Sequence, residues 1–138
     1  MFNRPYSDSH KGFAIEYDLD KLHTNSFEIE YTNTPMDIDI LDFDFNSAAT
    51  MQRIKKILGY KSIAWSYEEE IRIIYENAGL KTYSCDAITG IYFGLRMKDK
   101  YKKYLQSIFK KSHIKFYQIK HKENSYELEA EELPNNIN

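Results

Sequence analysis

Alternating apolar and polar residues predict strands in the first part of the chain. Residues 12–19 (GFAIEYDL) and 27–31 (FEIEY) alternate with a period of two, and the polar KLHTNS between them suits a hairpin loop. In residues 36–45 (MDIDILDFDF) the alternation slips by one position, which indicates a bulge or two short strands. The aspartates of this segment resemble the charges that proteins place on exposed edge strands.

The apolar spacing changes to that of a helix in two places. Residues 46–60 place apolar side chains on one face and end at Gly59, and a second helix runs from about residue 98 to residue 112. We expect the apolar face of the second helix to pack on the core and its lysines to face water. That apolar face consists of Tyr101, Tyr104, Leu105, Ile108 and Phe109.

Short apolar runs in the second half of the chain predict the remaining strands. Residues 70–75 (EIRIIY) are expected to form a strand, and residues 80–85 (LKTYSC) to return as its hairpin partner. Residues 88–94 (ITGIYFG) predict a central strand that ends at a glycine. Residues 114–120 and 125–130 predict a final hairpin.

The order of these elements is too irregular for a doubly wound sheet. It predicts an α+β fold with a mostly antiparallel sheet of about six or seven strands and two helices. At 138 residues the chain has the size of one ordinary domain. We therefore expect a single domain over residues 1–132 and a frayed tail over residues 133–138.

The composition indicates a folded intracellular protein. Aromatic residues make up 15% of the chain, which excludes the aromatic-poor composition of disordered proteins. No apolar run reaches the roughly 18 residues of a membrane span, and the N-terminus lacks the order of a signal peptide. We expect a cytoplasmic protein that does not bind membranes. The single cysteine, Cys85, excludes an intrachain disulfide and is expected to lie in the core.

Charge is arranged in blocks, although the net charge is only −2. Residues 27–46 carry six acidic residues and no basic one, whereas residues 96–122 carry one arginine and nine lysines against Asp99 alone. Five glutamates follow from residue 123 to the end. We expect these blocks to neutralise one another within the fold. Lysines mixed with aromatics are typical of single-strand binders, but because the aromatics are predicted to face the core, we do not expect nucleic acid binding.

The stretch YKSIAWSYEEEIRIIY, residues 60–75, is the strongest candidate for a site. If residues 70–75 form a strand, Glu70 and Arg72 point to the same face, close to the single tryptophan, Trp65. This geometry suits a bidentate ion pair, because half-buried charges persist only when they are paired. The pair either braces the structure or holds a ligand, and the sequence leaves both interpretations open.

His10 and the aspartates of residues 36–45 are weaker candidates. His10 precedes a Lys-Gly turn into a strand, where an imidazole is available for acid–base work or for a polar ligand, although a lone histidine is more often structural. The aspartates lack the oxygen spacing and the turn glycine of calcium-binding loops. The chain also lacks a phosphate-binding glycine-rich loop and an HExxH motif. We predict no metal and no cofactor.

Three segments occur in an order that is typical of one family: YSDSHKGFAIEYD, KSIAWSYEEEIRII and ITGIYFG. They resemble a bacterial family known as domain of unknown function twenty-nine seventy-one, whose pattern contains His-x-Gly, Trp-x-Tyr-Glu-x-Glu-x-Arg and Ile-x-x-Ile-x-x-Gly. The matching residues are Tyr6, His10, Gly12, Lys61, Trp65, Tyr67, Glu68, Glu70, Arg72, Ile88, Ile91 and Gly94. Phe2 and Ser7 depart from the pattern, in which Trp and Ala are usual.

The resemblance implies that the chain is the C-terminal half of the family pattern, without its N-terminal half. Such a chain is a truncation or a naturally short member, as products of mobile genes can be. A sheet without its neighbouring strands exposes an edge, so we predict a homodimer that covers it. The resemblance also implies that His10, Glu68, Glu70 and Arg72 meet in space.

Two functions suit such a cleft. The first is a non-catalytic binding or interaction module that takes a small polar ligand or a nucleotide. Its predicted cleft is lined by Tyr6, His10, Trp65, Glu68, Glu70 and Arg72. The alternative is a nucleotide- or NAD-handling enzyme that resembles an ADP-ribosyltransferase, with Glu70 as the carboxylate that stabilises an oxocarbenium-like transition state. This alternative rests on the order of the motifs alone.

Overall fold

The computed structural model describes residues 9–22, 26–35, 37, 54, 57–75 and 77–134. Its strands, in chain order, are β1 (Phe13–Tyr17), β2 (Ser26–Glu28), β3 (Glu30–Thr32), β4 (Tyr60–Ser62), β5 (Ile71–Ile73), β6 (Ile88–Phe93), β7 (Lys115–His121) and β8 (Leu128–Leu133). The helix α1 spans Asp99–Ile108, and 3₁₀-helices cover Asp20–Leu22, Ile63–Glu68 and Cys85–Ala87. The chain forms two compact units, a terminal unit of Met1–His23 with Lys81–Asn138 and a middle unit of Thr24–Leu80.

The terminal unit is built on a four-stranded sheet in the order β1-β6-β7-β8. β6 is antiparallel to β1 and parallel to β7, and β7 is antiparallel to β8. Parallel neighbours need a long crossover connection, which α1 provides between β6 and β7. The predicted central strand, second helix and final hairpin are thereby confirmed.

The core of the terminal unit is centred on β6. Ile91 and Phe93 of this strand are at most 1% exposed and belong to one cluster with Phe116 of β7. The rings of Phe93 and Phe116 stack with their centroids 5.6 Å apart. Burying each such side chain contributes about 1.5–3 kcal/mol, so this cluster is the main stabilising feature of the unit.

The helix α1 turns its tyrosines away from that core. Leu105 and Phe109 pack against the cluster, but Tyr101 and Tyr104 are 50% and 65% exposed. The prediction that these tyrosines face the core is therefore wrong, because only a narrow stripe of the helix packs against the core cluster. Cys85 is likewise exposed rather than buried.

The middle unit contains two two-stranded sheets, in which β2 pairs with β5 antiparallel and β3 pairs with β4 parallel. The predicted strand over residues 27–31 divides at Ile29, which is 6% exposed. The Ile29 amide donates to the Glu70 carbonyl at 3.0 Å, and the Glu30 amide donates to the Gly59 carbonyl at 2.7 Å. One continuous segment therefore serves both sheets and holds the starts of β4 and β5 in place.

The strand pairing corrects two predictions. β1 pairs with β6 and β2 pairs with β5, so the predicted hairpin between the first two strands is wrong. Residues 81–84 form no strand, so the predicted partner of β5 is wrong as well. Consecutive strands pair or adjoin in only about two-thirds of cases, and these strands find their partners far along the chain.

The α+β class is confirmed. The described part of the chain has eight strands in three sheets, rather than one sheet, and two of its five strand pairings are parallel. β8 continues to Leu133, which the sequence had assigned to the tail. The prediction of a single domain over residues 1–132 stays a prediction.

Some predictions fall mainly outside the described residues. Of the predicted first helix, only Ile54, Ile57, Leu58 and the adjoining Gly59 and Tyr60 are described, and the first three are helical. Of the predicted strand over residues 36–45, only Asp37 is described. Within the described ranges, no helix combines the length and apolarity that crossing a membrane requires.

Candidate functional site

Four charged side chains of the middle unit converge between β4 and β5. We call Lys61, Glu68, Glu70 and Arg72 the ion network. Lys61 belongs to β4 and Arg72 to β5, while the two glutamates belong to the turn that joins these strands. The network therefore depends on the path of a segment of only twelve residues, from Lys61 to Arg72.

The turn is a 3₁₀-helix with a defined start and end. The Ser62 side chain accepts a hydrogen bond from the Ala64 amide at 3.4 Å, which caps the start of Ile63–Glu68. Glu69 ends the helix in the left-handed conformation, with φ 46° and ψ 49°, and its amide donates to the Ser66 carbonyl at 3.2 Å. This reversal directs the carboxylates on either side of Glu69 toward Lys61 and leaves Glu69 exposed.

Glu70 is held from two sides. Arg72 donates to it through both Nε, at 2.6 Å, and Nη2, at 3.2 Å, which is the bidentate geometry that the strand spacing predicted. Lys61 Nζ donates to the same carboxylate at 2.9 Å and also to Glu68. Arg72 Nη1 donates to the Leu58 carbonyl, which leaves the guanidinium fixed to the backbone as well.

The network carries no net charge, because two carboxylates face two cations. Hydrogen bonds from Arg72, and then from Lys61, lower the pKa of Glu70 from 4.5 to about 2. The carboxylates of Glu68 and Glu70 raise the pKa of Lys61, and Glu70 raises the pKa of Arg72. These three groups therefore keep their charges at neutral pH, and Glu70 has no proton to give there.

Aromatic side chains border the ion network. Lys61 Nζ lies 5.3 Å from the ring centroid of Trp65, a cation–π contact, and the Trp65 ring is 6.0 Å from that of Tyr67. Both rings are about half exposed, at 47% and 59%. On another strand, the Tyr31 hydroxyl accepts a hydrogen bond from the Glu70 amide at 2.8 Å. The sole tryptophan thus lies where it can report on the state of Lys61.

Two cavities of the middle unit have walls in common with the ion network. The hydroxyl cavity, of about 440 Å³, includes Lys61, and the other described residues of its lining are uncharged, among them Thr32, Asn33, Thr34, Tyr60 and Ser62. The acidic cavity, of about 450 Å³, is lined among others by Glu28, Tyr31, Ser66, Glu69 and Glu70. Within the described residues, no group of three His, Cys, Asp or Glu side chains could hold a metal ion.

The predicted cleft residues are distributed over both units. Glu68, Glu70 and Arg72 meet in the ion network, and Trp65 lies beside it. His10 belongs to the terminal unit, where its carbonyl accepts a hydrogen bond from the Arg96 amide at 2.9 Å. Its approach to Glu70 stays a prediction, and Tyr6 lies outside the described residues.

Two partners of Glu70 were not predicted from the sequence. Lys61 belongs to the matched motif residues but not to the predicted cleft, and the hydroxyl of Tyr31 belongs to neither. Tyr31 and Lys61 lie directly opposite each other in the parallel pair of β3 and β4. A parallel pairing of two three-residue strands leaves no local signal, so only the motif spacing pointed to Lys61.

The fold and the site define a small α+β protein whose most patterned segment forms a fully paired ion network. A family model described as "Protein of unknown function (DUF2971)" matches residues 3–73, about half of the chain. The chain belongs to this family. The match covers the N-terminal portion of the chain, including the ion network, so the expectation that the chain is only the C-terminal half of the family is not borne out. Searches of curated proteins and of solved structures find no match.

Proposed function

We propose that this protein is a non-catalytic binding module whose hydroxyl cavity takes a small polar ligand. The observation that carries the proposal is the position of Lys61. Its ammonium group is fixed by Glu68 and Glu70, and its side chain also lines the hydroxyl cavity. The ion network then acts as a brace that keeps one wall of the cavity in place before any ligand arrives, which reduces the entropy lost on binding.

The state of Glu70 favours this role over catalysis. The enzyme alternative needs an ionised carboxylate that is free to face a ribose and its developing positive charge. Glu70 is ionised, with a pKa of about 2, but both of its oxygens accept hydrogen bonds from Arg72 or Lys61. To act on a ribose hydroxyl, as in the enzyme alternative, it would have to give up at least part of this pairing.

The lining of the hydroxyl cavity indicates the kind of ligand. Its volume of about 440 Å³ lies within the range of small-molecule sites, roughly 300–1,000 Å³. Threonine, serine and asparagine side chains offer uncharged donors and acceptors, while Pro35 and Ile57 offer apolar surface. A nucleoside, with a flat ring and several hydroxyl groups, suits this combination.

Calorimetric titration with adenosine, AMP and NAD⁺ tests the proposal. We expect at least one of them to bind, and Thr34→Val to weaken that binding about tenfold, because it replaces a hydroxyl in the lining by a methyl group. Glu69→Gln is the matched control, since Glu69 is exposed and lines the other cavity. Absence of heat with all three compounds at millimolar concentration would overturn the proposal.

The same samples test the enzyme alternative. We expect no release of nicotinamide from NAD⁺ by the native chain beyond that of a buffer blank. Release that disappears in Glu70→Gln, while Glu69→Gln retains it, would contradict a non-catalytic role and favour the ADP-ribosyltransferase-like mechanism.

We also propose a homodimer. β1 is an outer strand of the four-stranded sheet, and its Phe13 and Ile15 are 40% and 37% exposed. An outer strand with exposed apolar side chains favours pairing with a second copy. Light scattering coupled to gel filtration is expected to give twice the mass of one chain, and Ile15→Lys to reduce it; a monomer at high concentration would contradict the proposal.

A further inference from the structure

The outward face of α1 combines aromatic rings with positive charge. Tyr101 and Tyr104 are 50% and 65% exposed, and they lie three residues apart on the helix. Lys100 Nζ lies 4.7 Å from the ring centroid of Tyr101, so a cation accompanies the first ring. Residues three apart on a helix are neighbours on its surface, so the two exposed rings lie next to each other.

The basic charge of the terminal unit is concentrated on this helix once its ion pairs are considered. The lysines of β7 and of the turn after it pair with the glutamates of β8 and of that turn, at 3.1–3.4 Å. We call these pairs the strand ladder: Lys115–Glu132, Lys120–Glu129, Lys120–Glu131 and Lys122–Glu127. The basic block predicted from the sequence is thus neutralised in β7.

The lysines of α1 and its flanks are not neutralised in this way. Lys102 pairs with Asp99 at 3.0 Å. Among the residues that the structure describes, no carboxylate pairs with Lys98, Lys100, Lys103, Lys110 or Lys111. Unpaired lysines around exposed rings attract phosphate, whereas the strand ladder does not.

We propose that the outward face of α1 binds single-stranded nucleic acid, with bases stacking on Tyr101 and Tyr104 and phosphates held by Lys100 and Lys103. Stacking on aromatic side chains together with backbone contacts to basic groups is the chemistry by which proteins bind single strands without sequence preference. The tyrosines were expected to be buried, and this expectation was the reason for not predicting nucleic acid binding. Their exposure removes that reason.

An acidic surface on a second copy is the less favoured occupant. The glutamates of β8 that such a contact would use are already engaged in the strand ladder. A carboxylate surface also makes no use of two flat exposed rings. The combination of exposed rings and unpaired charge therefore favours a strand of bases and phosphates.

Fluorescence anisotropy with a labelled oligothymidylate of about 20 nucleotides tests the proposal on the full chain at several salt concentrations. We expect binding that weakens with salt, with a slope of about −0.7 per phosphate contact. Tyr101→Ala with Tyr104→Ala is expected to weaken binding at least tenfold at constant salt, because about 1–3 kcal/mol of stacking is lost per base. Lys100→Gln with Lys103→Gln is expected to reduce the slope by about 1.4.

Two control variants distinguish binding at the α1 face from nonspecific electrostatic attraction. Tyr126→Ala removes a tyrosine that is 99% exposed but lies in the turn between β7 and β8, and Lys115→Gln removes a lysine of the strand ladder. We expect both to leave binding within about twofold, with circular dichroism confirming that every variant is folded. Undetectable binding, equal binding to duplex DNA, or an unchanged affinity of the double tyrosine variant would each overturn the proposal. So would a loss of self-association in that variant without a change in oligonucleotide binding.

Discussion

The ion network of the middle unit and the strand ladder of the terminal unit use the same residue types but differ in exposure. In the ion network the side chains of Lys61, Glu68, Glu70 and Arg72 are 24%, 6%, 28% and 31% exposed. In the strand ladder every side chain is between 41% and 66% exposed. The contact distances overlap, at 2.6–3.2 Å in Glu70's pairs and 3.1–3.4 Å in the ladder.

The difference shows that distance alone does not decide what an ion pair contributes. Exposed pairs contribute about 0–1 kcal/mol, because water screens them and two long side chains lose freedom. Charges taken partly out of water cost much more when one partner is removed, since the other is left without compensation. The ion network therefore ties β4, β5 and the turn between them together, whereas the strand ladder neutralises charge at the sheet surface.

Removing one cation from the ion network and one from the strand ladder should give the largest difference in the free energy of unfolding. We expect Arg72→Met to lower the free energy of unfolding by about 2–3 kcal/mol, because Glu70 and the Leu58 carbonyl both lose a donor. Its matched control, Lys115→Met in the strand ladder, should lower it much less, because the Lys115–Glu132 pair is exposed to water. Urea denaturation measures both, and equal losses would contradict the distinction.

Acid should act on the ion network through Glu70. The pKa of this carboxyl is 4.5 when unperturbed and about 2 in the fold, so between these values the unfolded chain binds more protons and stability rises with pH. The stabilisation is complete above about pH 4.5 and is lost as the pH falls through about 2. In Glu70→Gln the decrease of stability over this interval should be smaller, as measured by urea denaturation at each pH. If the variant loses as much stability between pH 4.5 and pH 2 as the native chain does, Glu70 is not the cause of the acid sensitivity.

The contact between Lys61 and Trp65 is expected to contribute less. Trp65→Leu keeps an apolar side chain but removes the aromatic face, and it should cost about 0.5–1 kcal/mol. Tyr67→Leu is the control, because Tyr67 is similarly exposed and the cation–π contact to Lys61 is made by Trp65. Thermal unfolding followed by circular dichroism compares the two variants. A larger loss of stability in Tyr67→Leu than in Trp65→Leu would contradict the assignment of this contribution to Trp65.

Salt provides the smallest effect and acts on the strand ladder. Raising the salt concentration to about 1 M shortens the screening length to about 3 Å, which weakens exposed pairs more than partly buried ones. The cost of Lys115→Met should therefore fall toward zero in high salt, whereas that of Arg72→Met should remain. A parallel decrease of both costs would contradict the comparison.

The features that the sequence predicted well are those specified by local periodicity. β6 was recognised as an apolar run, α1 by its helical spacing, and β7 with β8 by their alternation on either side of a polar turn. The bidentate pair of Glu70 and Arg72 could also be predicted from local spacing, since residues two apart on a strand share a face.

The features that it missed depend on distant segments. FEIEY serves two sheets because residues 59–62 and 70–73 arrive on either side of Ile29, and no local pattern specifies those partners. Lys61 reaches Glu70 only because Glu69 reverses the chain in a left-handed conformation. The exposure of Tyr101 and Tyr104 depends on how much of α1 the sheet covers, whereas periodicity only identifies which side chains share a face.

The central claim is that Glu70 is an ionised brace held by Arg72 and Lys61. A carbon-13 NMR titration of its side-chain carboxyl, assigned by comparison with Glu70→Gln, tests this most directly. We predict a pKa of about 2 for the native chain and a return toward 4.5 in Arg72→Met. A native pKa of 4.5 or higher would contradict the account, because it would show that neither cation holds the carboxylate.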